Sequence, residues 1–366
     1  MEYYWKKKTL TSFLLALMVV LIHDNGIQQY LFYNEVGDAL WLRIAEFADT
    51  LIGQTLTSVA VPLFFLLSGA TLCRNAGSDS KGRAVLVYEG KLSNYLQKLK
   101  SRFTSLFVPY VLWNTVGMLF MIVCSYTFIS RYFVGREIFT FSLKNVLSAV
   151  FLYDCNGVFW FVYELIVLTI LSPLWDLLTC RKAMAWLWLA LTLVLLRCFD
   201  LSFLFRFSCG SSLFFYSAGL LIGKYYFPFF ARKNERKSLR IVALIYCLLF
   251  IVKELLREYS LIHLHTFLHY PILLLACLAF WVSLDGITDK IRIRPFMKDS
   301  FFIYALHYDI CAVFAKLLYL LFRNSHWMPI PNYFLTFAAA ISLIFLISTI
   351  TRKYFPRLHR LLSGAR

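Results

Sequence analysis

The chain has 366 residues, of which 60% are hydrophobic and 18% aromatic, while charged residues make up only 16%. A soluble globular domain is about 45–50% apolar, so this composition excludes a soluble domain and predicts a polytopic membrane protein. The formal net charge of +17 does not indicate nucleic-acid binding, because the lysines and arginines fall between the apolar runs, as the positive-inside rule describes.

The apolar residues form ten segments, each near the roughly 20 residues that a helix needs to cross a bilayer. In chain order these are 10–32, 54–73, 103–128, 157–178, 184–199, 207–224, 240–257, 265–284, 300–322 and 332–351. The stretch 141–153 is amphipathic and is predicted to lie at the outer membrane interface. We therefore predict an all-α membrane bundle of about ten helices, one domain over 1–366, ending in a basic cytoplasmic tail over 352–366.

The positive charges are distributed unevenly between the two sides of this bundle. With the N-terminus in the cytoplasm, 27 of the 37 lysines and arginines fall in inner segments and 9 in outer ones, while Lys316 lies inside the ninth segment. A missed helix would exchange the sides of all later segments and remove the bias. The distribution therefore predicts that both termini are cytoplasmic.

His23 directly follows the charge-free run 10–22 and is itself followed by Asp24. It lies about 20 Å from the start of its segment at 1.5 Å per residue, in the outer half of the bilayer. An imidazole at this depth is costly and usually lines a site, so we select His23 as a candidate catalytic base. Asp24 is a candidate to orient it, although successive helical residues point about 100° apart. The alternative is that His23 only marks where the helix leaves the membrane.

Further candidate catalytic residues occur inside three later apolar segments. Ser68 offers a hydroxyl at depth after Pro62, and Glu164 is a carboxylic acid inside a helix, which is costly unless it is paired. The ninth segment opens with a stretch that contains Tyr304 and His307, so it carries a second membrane-embedded imidazole.

Two groups of residues bear on ligand binding. Lys98, Lys100 and Arg102 form a basic entry to the third segment, where they would hold the phosphates of a cytosolic cofactor or contact lipid headgroups. His265 and His269 have the i, i+4 spacing of metal ligands, but no carboxylate nearby in sequence completes a site, so we predict no metal.

Taken in order, these stretches resemble the acyltransferase-3 family of integral membrane acyltransferases, and the resemblance covers nearly the whole chain. The matching motifs are Met18–His23, Val61–Gly69, the basic stretch 98–110 ending in Pro-Tyr, Trp160-Phe161 with Pro173, Gly219 with Gly223-Lys224, and Ser300–His307. Each motif is weak alone, and their order and spacing give the resemblance its specificity.

The resemblance implies transfer of an acyl group, acetyl or succinyl, from cytosolic acyl-CoA to a hydroxyl of a cell-surface or lipid-linked carbohydrate. It further implies a multi-pass protein of the bacterial inner membrane, in contact with membrane lipids, with the first-helix His23 as general base. Acyl-CoA would then be a donor substrate, with no permanently bound cofactor. Ser68 or Tyr304 would donate a hydrogen bond to the developing oxyanion.

The chain departs from the family pattern at Ser12, because many members carry an arginine eleven positions before the first-helix histidine. Either another cation, Lys8 or Arg102, replaces this arginine, or the donor is handled differently. The alternative function is a transporter or flippase for a polysaccharide or a lipid-linked substrate. Such proteins share the helix count, the intramembrane charges and the Gly/Pro-broken helices.

Overall fold

The computed structural model describes residues 2–33, 40–72, 74–78, 84–88, 96, 99–128, 130, 138–198, 211–259, 266–325 and 327–364. Its α-helices in the first half of the chain are α1 (Glu2–Ile22), α2 (Gly26–Tyr33), α3 (Leu40–Ala48), α4 (Ala60–Leu72), α5 (Val108–Tyr126), α6 (Leu143–Phe151), α7 (Trp160–Ile170) and α8 (Ser172–Leu178). Those in the second half are α9 (Lys182–Cys198), α10 (Ser211–Leu221), α11 (Phe227–Ala231), α12 (Lys237–Glu258), α13 (Thr266–Ser283), α14 (Ser300–Phe322), α15 (Pro329–Tyr354) and α16 (Pro356–Leu362).

Shorter elements connect these helices. They are π-helical turns at Asp49–Leu56, Phe103–Phe107 and Ile222–Tyr226, and 3-10 turns at Gly157–Phe159, Leu284–Gly286 and Pro295–Lys298. An antiparallel hairpin of β1 (Arg74–Ser78) and β2 (Ala84–Tyr88) pairs Arg74 with Tyr88. The prediction of an all-α membrane bundle is confirmed, with this hairpin as a small addition.

The predicted count of ten spanning helices is not confirmed. In the described part of the chain, six helical stretches are long and apolar enough to cross a membrane, or seven if α7 and α8, bent by 62°, form one span. The apolar part of α9, Lys182–Leu196, is shorter than a spanning helix. Helix α12 has the length, but it carries charged residues towards both of its ends, among them Arg240 and Glu254.

The first predicted segment, 10–32, is not one continuous helix. Helix α1 ends at Ile22 and α2 begins at Gly26, so that His23 lies at the break between them. The Oδ1 atom of Asp24 accepts a hydrogen bond from the Gly26 N–H at 2.9 Å. This bond to the N–H two residues later forms an Asx turn, which satisfies the first N–H of α2 and competes with continuation of α1.

Glycines permit the closest helix contact in the core, between α4 and α10. A Cβ atom at Gly69 would lie 2.2 Å from the Tyr216 carbonyl oxygen, and one at Gly219 would lie 2.2 Å from the Leu66 carbonyl oxygen. Such small residues let membrane helices approach at their backbones. Pro62 lies in the first turn of α4, where proline does not break a helix. Helix α1 packs against both α4 and α14.

Candidate active site

Two imidazoles meet in the helix bundle. The ring centroids of His23, at the break after α1, and His307, on α14, are 5.2 Å apart and the ring planes are inclined by 46°. His307 is completely buried, whereas His23 is half-buried. Titratable side chains are rare and costly within a membrane and usually mark a functional site, so the pair is the natural centre of one.

The backbone of α14 defines the hydrogen-bonding state of His307. Its Nδ1 atom lies 2.6 Å from the Tyr304 carbonyl oxygen, and a carbonyl can only accept, so Nδ1 carries a proton. In the neutral ring the Nε2 atom then keeps a lone pair. Nε2 is buried and has no hydrogen-bond partner among the residues that the structure describes. It is therefore available to accept a proton or a hydrogen bond.

Two tyrosines of α14 surround the imidazole pair. The Tyr308 ring lies edge-on to His23, with 5.6 Å between centroids, and the Tyr304 ring lies 5.9 Å from that of His307. The Tyr304 hydroxyl donates to the Val158 carbonyl and so connects α14 to the turn before α7. Tyr308 is not apparent as a site residue from the sequence, because no local pattern shows that His23 from another helix reaches its ring.

Helix α15 holds the end of α1 in place. The Tyr333 hydroxyl donates to the Leu21 carbonyl oxygen at 2.9 Å, which satisfies one of the acceptors left free at a helix C-terminus. A Cβ atom at Gly26 would lie only 2.6 Å from the Tyr333 Cα, so the lack of a side chain permits this contact. The role of Tyr333 is not apparent from the sequence, because it depends entirely on the packing of α15 against α1 and α2.

Asp24 is buried, with 2% of its surface exposed. Its Oδ1 atom caps α2 through Gly26, while Oδ2 has no hydrogen-bond partner in the described part of the chain. The contact seen for Asp24 is therefore with the α2 backbone, and its predicted role in orienting His23 stays a prediction.

Two substitutions distinguish a capping role of Asp24 from an orienting one. Asp24→Asn keeps an oxygen that can accept from Gly26 N–H, so it should preserve both stability and activity. Asp24→Ala removes the cap and should cost about 1 kcal/mol of stability. Unfolding in detergent and acyl-transfer rates measure the two effects. If the carboxylate charge instead orients His23, Asp24→Asn will reduce the rate as much as Asp24→Ala.

Ser68 and Glu164 lie on different helices of the core. Ser68 is half-buried on α4, and its carbonyl accepts from the Thr71 hydroxyl at 3.4 Å. Glu164 is completely buried on α7, one turn after Phe161, whose ring centroid lies 5.8 Å from that of Tyr304. Glu164 thus belongs to the helix that packs against the site, and the chemical roles of both residues stay predictions.

The candidate donor-binding cations lie at the start of the α5 stretch. Lys98 is outside the described residues, Lys100 is exposed, and Arg102 is half-buried. Lys8, the other candidate to replace the arginine absent at Ser12, holds its ammonium 5.1 Å from the centroid of the Trp5 ring.

The structure corrects one detail of the histidine pair near α13. His265 lies outside the described residues, but the Nδ1 atom of His269 is 3.4 Å from Glu254 Oε1 and 3.4 Å from Lys253 Nζ. A carboxylate is therefore adjacent, supplied by α12 rather than by nearby sequence. In the part of the chain that the structure describes, no three or more His, Cys, Asp or Glu residues are arranged to hold a metal ion.

Comparison with known proteins gives one match to a family model. A family model described as an acyltransferase domain matches residues 13–349, a range that contains both imidazoles, Ser68 and Glu164. No curated protein and no solved structure matches the chain.

Proposed function

We propose, from the premise that this chain belongs to the acyltransferase-3 family of membrane acyltransferases, that it esterifies a hydroxyl of a cell-surface or lipid-linked carbohydrate with an acyl group, acetyl or succinyl, from acyl-CoA. The observation that carries the proposal is the His23–His307 pair, whose ring centroids lie 5.2 Å apart in the bundle. Acyl transfer from a thioester needs a general base and a donor to the developing oxyanion. The site offers imidazoles for the first and hydroxyls for the second.

In the proposed reaction His23 removes the proton from the acceptor hydroxyl. The hydroxyl oxygen attacks the thioester carbonyl carbon, the carbon–sulfur bond breaks, and the imidazolium returns the proton to the departing thiolate. The products are the ester and free CoA thiol. His23 is the more exposed ring of the pair, which suits contact with a substrate.

His307 supports this role through its accepting Nε2 atom. An acceptor beside His23 favours the neutral tautomer of His23 that carries its proton on the nitrogen nearer to His307. The other nitrogen of His23 is then free to take the hydroxyl proton. The Tyr304 carbonyl holds His307 in the required state.

The remaining roles follow from position and chemistry. Ser68 or Tyr304 is the proposed donor to the oxyanion, and Tyr304 would exchange its bond to the Val158 carbonyl for one to the substrate. Lys98, Lys100 and Arg102 are the proposed partners of the donor phosphates. The resemblance to the family implies a bacterial inner membrane, and the charge bias counted on the predicted ten segments supports a donor on the cytoplasmic side.

The rival function, a transporter or flippase, is favoured by the break between α1 and α2 and the bend between α7 and α8. Membership of an acyltransferase family favours the enzyme. The two functions differ in products, since a transporter moves its substrate without changing its mass.

The experiment compares surface glycans from cells with and without this protein by mass spectrometry. We expect a protein-dependent gain of one acyl group, whose mass identifies the donor. The purified protein in vesicles should release CoA thiol only when both acyl-CoA and acceptor are present. Unchanged glycan masses together with protein-dependent movement of a glycolipid across the vesicle membrane would overturn the proposal in favour of transport.

A further inference from the structure

A cavity of about 1010 Å³ lies apart from the imidazole pair. Helices α9 to α13 and the segment between α11 and α12 form its walls, and its lining includes neither imidazole and no residue of α4 or α14. Leu189, Ala218, Leu274 and Leu278 contribute an apolar wall, and Arg232 and Arg236 lie at the mouth.

The polar groups on the floor of the cavity are already bonded to one another. The Lys7 ammonium lies 2.6 Å from Asp285 Oδ1 and 4.3 Å from the centroid of the Trp281 ring. Asp285 Oδ2 accepts a hydrogen bond from the Asn234 N–H at 3.2 Å. The floor therefore has little hydrogen-bonding capacity left for a ligand.

The mouth of the cavity differs from its floor. Arg232 and Arg236 are exposed, and neither guanidinium has a hydrogen-bond or ion-pair partner among the described residues. Lys233 is paired with Asp289 at 2.5 Å, and Glu235 contributes one negative charge, so the two arginines leave the mouth net positive. Guanidinium groups suit the planar, multidentate recognition of phosphate oxygens.

This combination indicates an amphipathic anion as ligand. The wall residues belong to apolar helices, while Trp186 and Phe229, which also line the cavity, are 51% and 74% exposed, so the cavity reaches the apolar outer surface of the bundle. A hydrocarbon chain matches such a wall. The pantetheine arm of CoA does not, because its amides would be buried against carbon atoms without partners.

We propose that the cavity binds an anionic phospholipid of the leaflet nearest the α11–α12 segment. Its phosphate lies between Arg232 and Arg236, and one acyl chain lies along the wall formed by α10 and α13. The ten-segment topology, which stays a prediction, assigns this segment to the inner leaflet. The proposal does not depend on acyl transfer, so the two can fail separately.

The test titrates the full-length, delipidated protein in detergent with phosphatidylglycerol or phosphatidylcholine and counts bound lipid by native mass spectrometry. We expect saturable binding of phosphatidylglycerol at one site and much weaker binding of phosphatidylcholine. The double variant Arg232→Gln/Arg236→Gln should weaken phosphatidylglycerol binding by about 30-fold, because two cationic contacts with the lipid are lost. Leu278→Trp leaves both arginines in place but fills the space along the apolar wall, so it should also weaken phosphatidylglycerol binding.

The matched control is Lys237→Gln/Arg240→Gln, which removes the same charge from α12 at residues that do not line the cavity. It should bind phosphatidylglycerol like the unmodified protein. Equal loss in the control would show a general surface-charge effect and overturn the proposal. Equal binding of the two lipids would also overturn it, as would displacement of the bound lipid by free CoA, which would assign the cavity to the donor.

Discussion

Replacement of His23 by alanine is expected to lower kcat for acyl transfer by roughly 10²–10⁴-fold, the usual contribution of a general base. The ring is half-buried beside His307, and the α1–α2 break is held by Asp24 and Tyr333 rather than by the imidazole. The variant should therefore fold and bind donor normally while losing the proton acceptor. Initial rates with purified protein in vesicles, together with the unfolding midpoint, measure the two properties separately.

His307→Asn tests the Nε2 atom of the second imidazole separately from the hydrogen bond that Nδ1 makes. The asparagine amide can still donate to the Tyr304 carbonyl, as Nδ1 does, but no atom replaces Nε2. We expect roughly a 10²-fold loss in kcat with little change in stability. The matched comparison is Tyr308→Phe, which keeps the ring beside His23 and should lower kcat far less than the loss of either imidazole. Normal turnover by either histidine variant at equal protein level would contradict the proposed dyad.

The second large effect concerns stability. Lys7→Met should destabilise the protein by about 3–5 kcal/mol, because it leaves the Asp285 carboxylate buried without its cation. The two side chains are 2% and 1% exposed, and the pair joins α1 to the turn after α13. The Tyr3 hydroxyl also donates to Asp285. Unfolding of the detergent-solubilised protein by denaturant would give the change in free energy.

An exposed ion pair and a double variant serve as controls for this prediction. Lys233→Met breaks the pair with Asp289, whose side chains are 39% and 52% exposed, and should cause little measurable loss because water solvates both charges. The Lys233 ammonium lowers the pKa of Asp289. Its removal in Lys233→Met should therefore raise the pKa of that carboxyl, even though stability changes little. Lys7→Met/Asp285→Leu should recover part of the stability lost in Lys7→Met. If Lys7→Met is as stable as Lys233→Met, the buried pair does not stabilise the bundle.

The helix break at residues 23–25 shows how local signals compete. The apolar run from Leu10 onward favours one continuous helix over residues 10–32. Asp24 with Gly26 is a helix-capping signal in the same stretch, and it prevails because Gly26 also packs against the Tyr333 backbone. A capping residue is visible in the sequence, but the contact that stabilises the break comes from a helix more than 300 residues later in the chain.

The helix count shows a different limit. Hydropathy identifies apolar segments, yet a segment crosses a membrane only if its helix continues for long enough. Residues 157–178 are apolar throughout most of their length, but the helix bends by 62° between α7 and α8, beside Pro173. Proline removes a backbone donor and clashes with the preceding turn, which explains the bend but does not set its direction.

The amino-acid sequence alone is sufficient to establish the membrane class, the family resemblance and the choice of His23 and His307 as unusual residues. These conclusions depend on composition and on the cost of single polar groups in an apolar run, and both are local properties. Their pairing, the contact of Tyr308 with His23 and the basic-mouthed cavity near α11 depend on how distant helices pack. Packing is set by backbone approach at residues such as Gly26, Gly69 and Gly219, and no local pattern specifies which helices meet there.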